Sequence, residues 1–284
     1  PQTLGTSEQF NDPVTGEQDL QVNSLTGGNR DLKPEKSRQR SIGIVASPTR
    51  DVNVAVDFFN IAVTDMIALE SAQAVVARNA AGDPAYADLV VRNDSGGIEQ
   101  ITQVLRNVGS AKLRGVDIEA AWRIPFEGSR LDLSLAGTYM TKFDVTRPSG
   151  SISHNVGTTV DESCNPIQST NNASQDGVVP RWKHYLSATY ASGPWAYTLA
   201  QNFYKGYRDG CDLDGNPHSV PGRSLYDAVI AYTGIKNLKL SLGVKNLFDS
   251  DPLMFIPISN QFQAGFVVTM YDPRHRFIYA TVSY

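Results

Sequence analysis

Residues 131–142, with the sequence LDLSLAGTYMTK, decide the fold, because apolar and polar side chains alternate along them one by one. An extended strand points successive side chains to opposite faces of a sheet. The residues on one face are apolar or have no side chain: Leu131, Leu133, Leu135, Gly137 and Tyr139. Those on the other face are mostly polar or small, so the stretch predicts a strand between an apolar and a wet environment.

The same alternation recurs along the chain, with turn-forming residues between the alternating stretches. Its apolar phase includes Val52, Val54, Val56 and Phe58, then Trp195, Tyr197, Leu199 and Phe203, then Leu238, Leu240, Leu242 and Val244. The pattern predicts an all-β, antiparallel chain of about nine strands. The predicted strands are residues 38–47, 53–66, 112–124, 131–144, 182–191, 195–207, 224–233, 238–247 and 274–284. Within the less regular residues 68–107 we expect a short hairpin, 89–92 with 98–105, around Ser95-Gly96-Gly97.

The connections between the predicted strands alternate in length. The short ones are 48–52, 125–130, 193–194 and 234–237, and the long ones are 67–111, 145–181, 208–223 and 248–273. Short turns at one end of a sheet and long loops at the other are typical of bacterial outer-membrane barrels. A soluble β-sandwich has mixed loop lengths at both ends, so the pattern favours a barrel.

A transmembrane barrel also fits the distribution of charge. No run of about 18 apolar residues exists, which excludes a membrane-spanning helix, but a spanning strand needs only about 9–11 residues with alternate ones facing lipid. We expect these residues to face lipid: Val54, Val56, Phe58, Leu131, Leu133, Leu135, Leu240, Leu242 and Val244. The polar phase holds Asp57, Asp132, Lys142, Lys239 and Lys245, whereas Asp227 and Lys205 lie in phase with the apolar face. Aromatic residues near the strand ends fit two interfacial girdles, although they also fit the core of a sandwich.

Composition excludes some classes of function. The net charge is −4 and the basic residues form no block, so no nucleic-acid partner is expected. The four histidines are scattered and no enzyme constellation is present, so we expect no catalytic residues and no cofactor. The segment Asp212-Leu213-Asp214-Gly215-Asn216 begins like a calcium loop but lacks the distal Glu, so a turn is favoured over a metal site. Cys164 and Cys211 either form a disulfide, which we favour, or remain buried thiols.

Five motifs carry a family resemblance, and they occur in the family's order. They are the segment NRDLKPEKS at 29–37, VDFFNI at 56–61, NVGSAKLRGVD at 107–117, GVKNLFD at 243–249 and DPRHRF at 272–277. Together they resemble segments of the β-barrel of TonB-dependent outer-membrane receptors. Each motif is weak alone, and the resemblance rests on all five, spread over residues 29 to 284.

The resemblance implies a globular plug inside a 22-stranded barrel. This sequence contains no plug domain, no TonB box and too few strands, so it resembles roughly the last nine strands, with residues 1–36 as an extracellular loop and 37–284 as barrel. We expect the open sheet to fold stably only with the missing portion, because lipid does not tolerate unpaired strand edges. The end of the chain, with Ile278, Ala280, Val282 and Tyr284 in one phase, resembles the signal read by the barrel-assembly machinery.

The family's function, if it transfers, is energised import across the bacterial outer membrane. The implied partners are outer-membrane lipid, the missing plug and barrel strands, the TonB complex and a small-molecule ligand, with a ferric siderophore favoured by family frequency. Tyr204, Tyr207 and Arg208 are candidates for the ligand mouth, although interface anchoring explains these aromatic residues as well. A passive porin-like barrel and a secreted β-sandwich adhesin are the alternatives.

Overall fold

The computed structural model describes residues 2–146, 152–160, 164, 178–211, 215–254, 266 and 270–284. The strands are β1 (Gln2–Thr6), β2 (Asn23–Gly27), β3 (Lys36–Thr49), β4 (Val52–Leu69), β5 (Val90–Arg92), β6 (Ile98–Phe126), β7 (Ser129–Thr146), β8 (Ile152–His154), β9 (Trp182–Ser192), β10 (Trp195–Tyr204), β11 (Tyr207–Cys211), β12 (Pro217–Val220), β13 (Arg223–Ile235), β14 (Leu238–Lys245) and β15 (Phe277–Ser283). One α-helix, α1 (Ala72–Ala80), and one 3-10 helix (Pro84–Leu89) lie between β4 and β5.

Nine long strands form one antiparallel sheet in the order β3-β4-β6-β7-β9-β10-β13-β14-β15. They correspond one to one to the nine predicted strands, so the predicted all-β fold class is confirmed. Within the described residues, β3 and β15 pair on one side only and not with each other. The sheet is therefore open, as expected of part of a larger barrel.

The predicted alternation of connection lengths is also present. Connections of two residues join β3 to β4, β6 to β7, β9 to β10 and β13 to β14, all at one end of the sheet. The connections at the other end are long and carry α1, the 3-10 helix and the short strands β5, β8, β11 and β12. We refer to these as the short-turn end and the long-loop end.

Strand β6 is much longer than predicted, because it takes part in two sheets. Its first part pairs in parallel with β2 and antiparallel with β5, giving a small sheet in the order β1-β2-β6-β5. The predicted hairpin around Ser95-Gly96-Gly97 is the β5–β6 connection. There Asn93 Oδ1 accepts hydrogen bonds from the backbone N–H groups of Ser95 (3.1 Å) and Gly97 (2.9 Å).

This small sheet belongs to a compact outer subdomain, which we define as residues 2–27 with 70–107. Its core is formed by Phe10, Ala72, Val75, Val76, Tyr86, Val90, Ile98 and Ile101. Ser71 begins α1 by accepting a hydrogen bond at its side chain from the backbone N–H of Ala74. The segment 1–36, which we expect to be an extracellular loop, includes two strands, β1 and β2.

A second outer core, which we call the loop core, unites three of the long connections. Val178 precedes β9, Tyr207 and Val220 belong to the β11–β12 hairpin, and Tyr271 lies between β14 and β15, yet all four are buried against one another. The sequence signal for this core is poor, because its members come from separate irregular segments. The loops at this end of the sheet are therefore packed together and do not extend independently.

Candidate functional site

The long sheet has one apolar face, which we call the outward face. Residues directly opposite each other in an antiparallel pair project to the same face, so the strand register defines complete rows. One row crosses eight strands and contains Val52, Trp122, Leu133, Ala188, Leu199, Ala228, Val244 and Ile278. All nine residues predicted to face lipid lie on this face.

The outward face is uncovered in the part of the chain that the structure describes. Ile42 is 74% exposed, Leu199 50% and Leu242 53%, whereas the buried clusters belong to the outer subdomain and the loop core. A β-sandwich would bury this face against a second sheet. An apolar surface of this extent needs a membrane or a partner to cover it.

Aromatic side chains are concentrated near both ends of the outward face. Those toward the short-turn end are Trp122, Phe126, Tyr190, Trp195, Tyr197 and Tyr232, and those toward the long-loop end are Tyr139, Trp182, Phe203 and Tyr226. At the long-loop end, Trp182 Nε1 donates to His184 Nδ1 (2.8 Å), and Gln201 Nε2 donates to Ser224 Oγ (2.8 Å). Rings with polar atoms suit the boundary between hydrocarbon and water.

The opposite face, here called the lumen face, is polar and contains a concave pocket of about 500 Å³. Its lining includes three acids on β4 and β6, namely Asp57, Asp117 and Glu119, and one cation on β9, Lys183. Asp117 accepts a hydrogen bond from Thr138 Oγ1 (2.8 Å). Sequence reasoning placed Asp57 on the polar side but did not identify this cluster, because its members are distant in sequence.

Of the three candidates for a ligand mouth, the structure brings only Tyr204 to the pocket. Tyr207 is instead buried in the loop core, where burial raises the pKa of its hydroxyl group. Arg208 connects two loops, because its Nη2 donates to the carbonyl oxygen of Val160 (3.1 Å). Neither residue lines this pocket, and a role of either at a ligand mouth stays a prediction.

Arg223 is a neighbour of Tyr204 that the sequence did not reveal. It lies directly across from Tyr204 on β13, in the same row as Lys183 on β9. Its Nε and Nη2 atoms are shielded from solvent and have no hydrogen-bond partner among the described residues. Tyr204, Lys183 and Arg223 thus form a row with cationic groups at the long-loop end of the lumen face.

A disulfide joins Cys164 to Cys211, whose Cα atoms are 5.8 Å apart. It connects the β7–β9 connection to β11 and so reinforces the contact that Arg208 makes. Of the weak calcium-loop segment, Asp212 and Asp214 lie outside the described residues, and Asn216 is exposed. Among the residues that can be described, no group of three or more His, Cys, Asp or Glu could hold a metal ion.

Two charged residues lie on the faces opposite to those predicted. Lys142 points outward, because a β-bulge between Arg114 and Gly115 inserts an extra residue on β7 and reverses the alternation beyond it. Asp227 pairs with Ala200 on the lumen face, where it accepts a hydrogen bond from the backbone N–H of Asn246 (2.9 Å). Lys205 lies just beyond the end of β10 and does not belong to a strand.

The sequence motifs correspond to specific contacts between strands and loops. Asn107 donates from Nδ2 to the carbonyl oxygens of Lys33 and Asp65 (both 2.7 Å), and Glu35 accepts from the backbone N–H of Ile67 (2.7 Å). These contacts fix the entry to β3 against β4 and β6. In the last motif, Arg276 donates from its backbone N–H to Asp249 Oδ1 (2.7 Å).

Glycines in two motifs leave room for large side chains across the strand pairs. A Cβ atom at Gly115 would lie 2.5 Å from the ring of Phe59, and one at Gly243 would overlap the ring of Tyr279. Each glycine therefore allows an aromatic ring to lie flat over the neighbouring strand. The space that each ring needs is the physical reason why both motifs have glycine at this position.

The last strand, β15, pairs with β14 along its whole length. Ile278, Ala280 and Val282 are on the outward face, opposite Val244, Leu242 and Leu240. Tyr284 follows the strand and is fully exposed. A role for these residues in barrel assembly remains a prediction.

Buried charge stabilises the outer subdomain. Arg92 donates to both oxygens of Asp12 (2.6 and 2.9 Å), whose side chain is fully buried, and this lowers the pKa of Asp12 to about 2. Tyr86 donates to the buried Glu70 carboxylate (2.7 Å), and burial raises the pKa of Tyr86 to about 12. These pairs favour one arrangement of the loops, because any arrangement that separates the partners leaves a buried charge uncompensated at a cost in free energy.

Comparison with known proteins gives one family and a set of similar folds. The family model described as "TonB dependent receptor-like, beta-barrel" matches residues 3–247. The siderophore receptor PirA from Acinetobacter baumannii is 18% identical with a TM-score of 0.59, and the match covers 99% of this chain and 35% of that one. A mutant of the ferric enterobactin receptor PfeA from Pseudomonas aeruginosa, in complex with enterobactin, is also 18% identical, with a TM-score of 0.59 and coverage of 98% and 35%.

The outer membrane transporter YddB from Escherichia coli is 11% identical, with a TM-score of 0.56 and coverage of 92% and 34%. The chain therefore spans about a third of the length of these solved structures. At such identities the likeness concerns the fold alone. No helix in the described part of the chain is long and apolar enough to cross a membrane.

Proposed function

The chain belongs to the TonB-dependent receptor β-barrel family, and we propose that it is part of an outer-membrane receptor that imports a scarce small molecule by energised transport. The observation that carries this proposal is the two-faced open sheet. Its outward face is apolar, exposed and bordered by aromatic residues, whereas its lumen face is polar and contains a pocket. Barrels of this family lie in the outer membrane, and the family and the structural neighbours are receptors and transporters.

The open edges of the sheet support the proposal that other strands complete the barrel. All fourteen residues of β3 are exposed, although this strand has the length of a spanning strand. Each unpaired N–H or C=O group within hydrocarbon costs several kcal/mol. That cost is on the order of the whole net free energy of folding of a domain. We accordingly propose that this part acts with outer-membrane lipid and with the remaining barrel strands and a plug. The further partners that we propose are the barrel-assembly machinery and the TonB complex, which would act through a TonB box.

A ferric siderophore is the ligand that we favour. PirA is a siderophore receptor, and PfeA is a ferric enterobactin receptor. In this chain, Tyr204, Lys183 and Arg223 present an aromatic ring and two cations toward the lumen at the long-loop end. This row suits a bulky chelate with anionic oxygen atoms, because cationic donors form strong, charge-assisted hydrogen bonds with such atoms.

Uptake by the full-length receptor tests the proposal directly. The receptor is expressed in a host that lacks its own siderophore receptors, and uptake of radioactive iron is measured with a panel of ferric siderophores that includes ferric enterobactin. We expect saturable uptake of at least one complex, and its loss when TonB is deleted. Uptake that is unchanged without TonB would instead support the alternative, a passive porin-like barrel.

A matched pair of variants tests the row on the lumen face. We expect Arg223→Gln to weaken binding of the imported complex by roughly tenfold, since a charged hydrogen bond contributes about 1.5–3 kcal/mol. Arg130→Gln, at the short-turn end, removes the same charge far from the row and should leave the dissociation constant unchanged. Equal effects of the two variants would show that the row does not contact the ligand.

A further inference from the structure

The outward face carries a cationic patch at its long-loop end that the import function does not use. In one row Arg40 pairs with Asn60, Asn60 with Arg114 and Arg114 with Lys142. The next row contains Arg38, Ala62, Lys112 and Asp144. We propose that this patch, consisting of Arg38, Arg40, Lys112, Arg114 and Lys142, binds the phosphate groups of anionic lipids in the adjoining membrane leaflet.

The strand register places the patch directly beyond the apolar surface. The row immediately below it contains Ile42, Phe58, Val116 and Tyr139. From Phe126 at the short-turn end to Arg114 is a rise of twelve residues, or ~41 Å along the strand and ~31 Å along the membrane normal at a tilt of about 40°. Since the apolar band of such barrels is about 25 Å tall, the patch lies at the level of the headgroups.

The patch is strongly unbalanced in charge. Asp144 is the only carboxylate in its two rows, and it already contacts Lys142 Nζ (2.8 Å) and His154 Nδ1 (2.8 Å). Arg114 Nε donates to the neutral Asn60 Oδ1 (3.1 Å). No ion pair joins Arg38, Arg40 or Lys112 to a carboxylate within the ranges that the structure describes. Like charges held side by side are unfavourable unless anions lie between them.

A lipid headgroup fits this surface better than a soluble anion. The patch is a flat row on the exposed face and not a cavity, so a free phosphate ion would have contacts on one side only. A lipid adds its acyl chains, which would lie over Ile42, Phe58 and Val116 in the row below. The patch also lies on the opposite face of the sheet from the pocket, so this inference does not depend on the imported ligand.

The β-bulge between Arg114 and Gly115 contributes a cation to the patch. Without it, Lys142 would keep the alternation of β7 and point into the lumen. The extra residue, Thr141, is held by a hydrogen bond from its hydroxyl group to the carbonyl oxygen of Arg114 (3.1 Å). Bulges of this kind re-aim side chains at the rims of barrels.

Thermal unfolding of the full-length receptor in a neutral detergent tests the proposal. The receptor is titrated with dioleoylphosphatidylglycerol, dioleoylphosphatidylcholine or inorganic phosphate. The test variant combines Arg40→Gln, Lys112→Gln and Arg114→Gln. The control combines Lys236→Gln, Lys239→Gln and Lys245→Gln, which remove the same charge from the short-turn end and the lumen face.

We expect phosphatidylglycerol to raise the unfolding temperature of the wild type and of the control. Because each cation near a charged membrane surface contributes roughly a fivefold gain in affinity, the test variant should bind this lipid on the order of 100-fold more weakly. Equal effects of the two lipids, an equal effect of free phosphate, or an unchanged affinity of the test variant would overturn the proposal. Resistance of the barrel to SDS checks that the test variant is folded. If the test variant does not fold, Arg114→Gln alone replaces it, with an expected loss of affinity of roughly fivefold.

Discussion

The assignment of the two faces makes a sharp prediction about neighbouring residues on β7. Leu135 lies on the outward face between Ala120 and Leu186, whereas Ser134 lies on the lumen face between Ala121 and Ser187. From Ser129 to Leu135 the strand rises ~20 Å along its axis, or ~15 Å along the membrane normal. Leu135 is thus near the middle of the apolar band.

The magnitude follows from this depth. An arginine facing lipid at the midplane costs about 2–4 kcal/mol, whereas one in a wet lumen costs little. Leu135→Arg should therefore lower the free energy of unfolding of the full-length receptor by about 3 kcal/mol, which is on the order of a 100-fold change in the ratio of folded to unfolded protein. Ser134→Arg, one residue away with the same added side chain, should change it by less than about 1 kcal/mol.

Reversible unfolding in urea, with the receptor in lipid vesicles, measures both values. The fraction that migrates as a folded barrel in SDS gives an independent measure of membrane assembly. If Ser134→Arg destabilised the receptor as much as Leu135→Arg or more, the assignment of the faces would be wrong. The proposed membrane function would then lose its main support.

Three further predictions concern the outer subdomain, the disulfide between the outer connections, and the packing of an aromatic ring on a strand glycine. Asp12→Asn should weaken the outer subdomain by about 2 kcal/mol, seen as faster amide hydrogen exchange there, because Arg92 loses its buried partner. The pKa of Asp12 is about 2 in the folded protein, below its unfolded value of 3.8. The stabilisation from Asp12 is therefore complete above about pH 5 and is lost as the pH falls toward 2. Hydrogen exchange that does not accelerate in this pH range would contradict the prediction. Cys211→Ser removes the disulfide to Cys164, which closes a loop of 47 residues and corresponds to about 4 kcal/mol of loop entropy. Proteolysis of the β7–β9 connection should then accelerate, without a change in barrel assembly. Gly137→Val should displace the Trp182 ring, which lies where a Cβ would be, and cost about 1–3 kcal/mol in urea unfolding, with an unchanged tryptophan emission as the contrary result.

The residues of the outer loops show where prediction from sequence ends. Tyr207 and Arg208 follow the end of β10, and their position suggested a ligand mouth. The structure instead uses Tyr207 as a core residue and Arg208 as a connection between loops. Their roles depend on Val178, Tyr271 and Val160, which approach only because three separate connections pack together, and no local pattern encodes that approach.

Lys142 illustrates a different limit. Alternation in a strand is reliable only while the register is unbroken, because one inserted residue moves every later side chain to the other face. The sequence around Thr141 gives no sign of the bulge that the pairing of β6 with β7 requires. The outward position of Lys142, and with it one member of the cationic patch, could not be read from the sequence.

The sequence alone determined the nine strands, the alternation of short and long connections, and the family. These properties follow from the two-residue periodicity of side chains and from local turn residues, which act over a few neighbours. Tertiary structure decided which side chains share a row, where the bulge lies, how the outer subdomain forms and which residues line the pocket. Each of these depends on pairing between segments far apart in the chain, where register and packing, and not local preference, set the free energy.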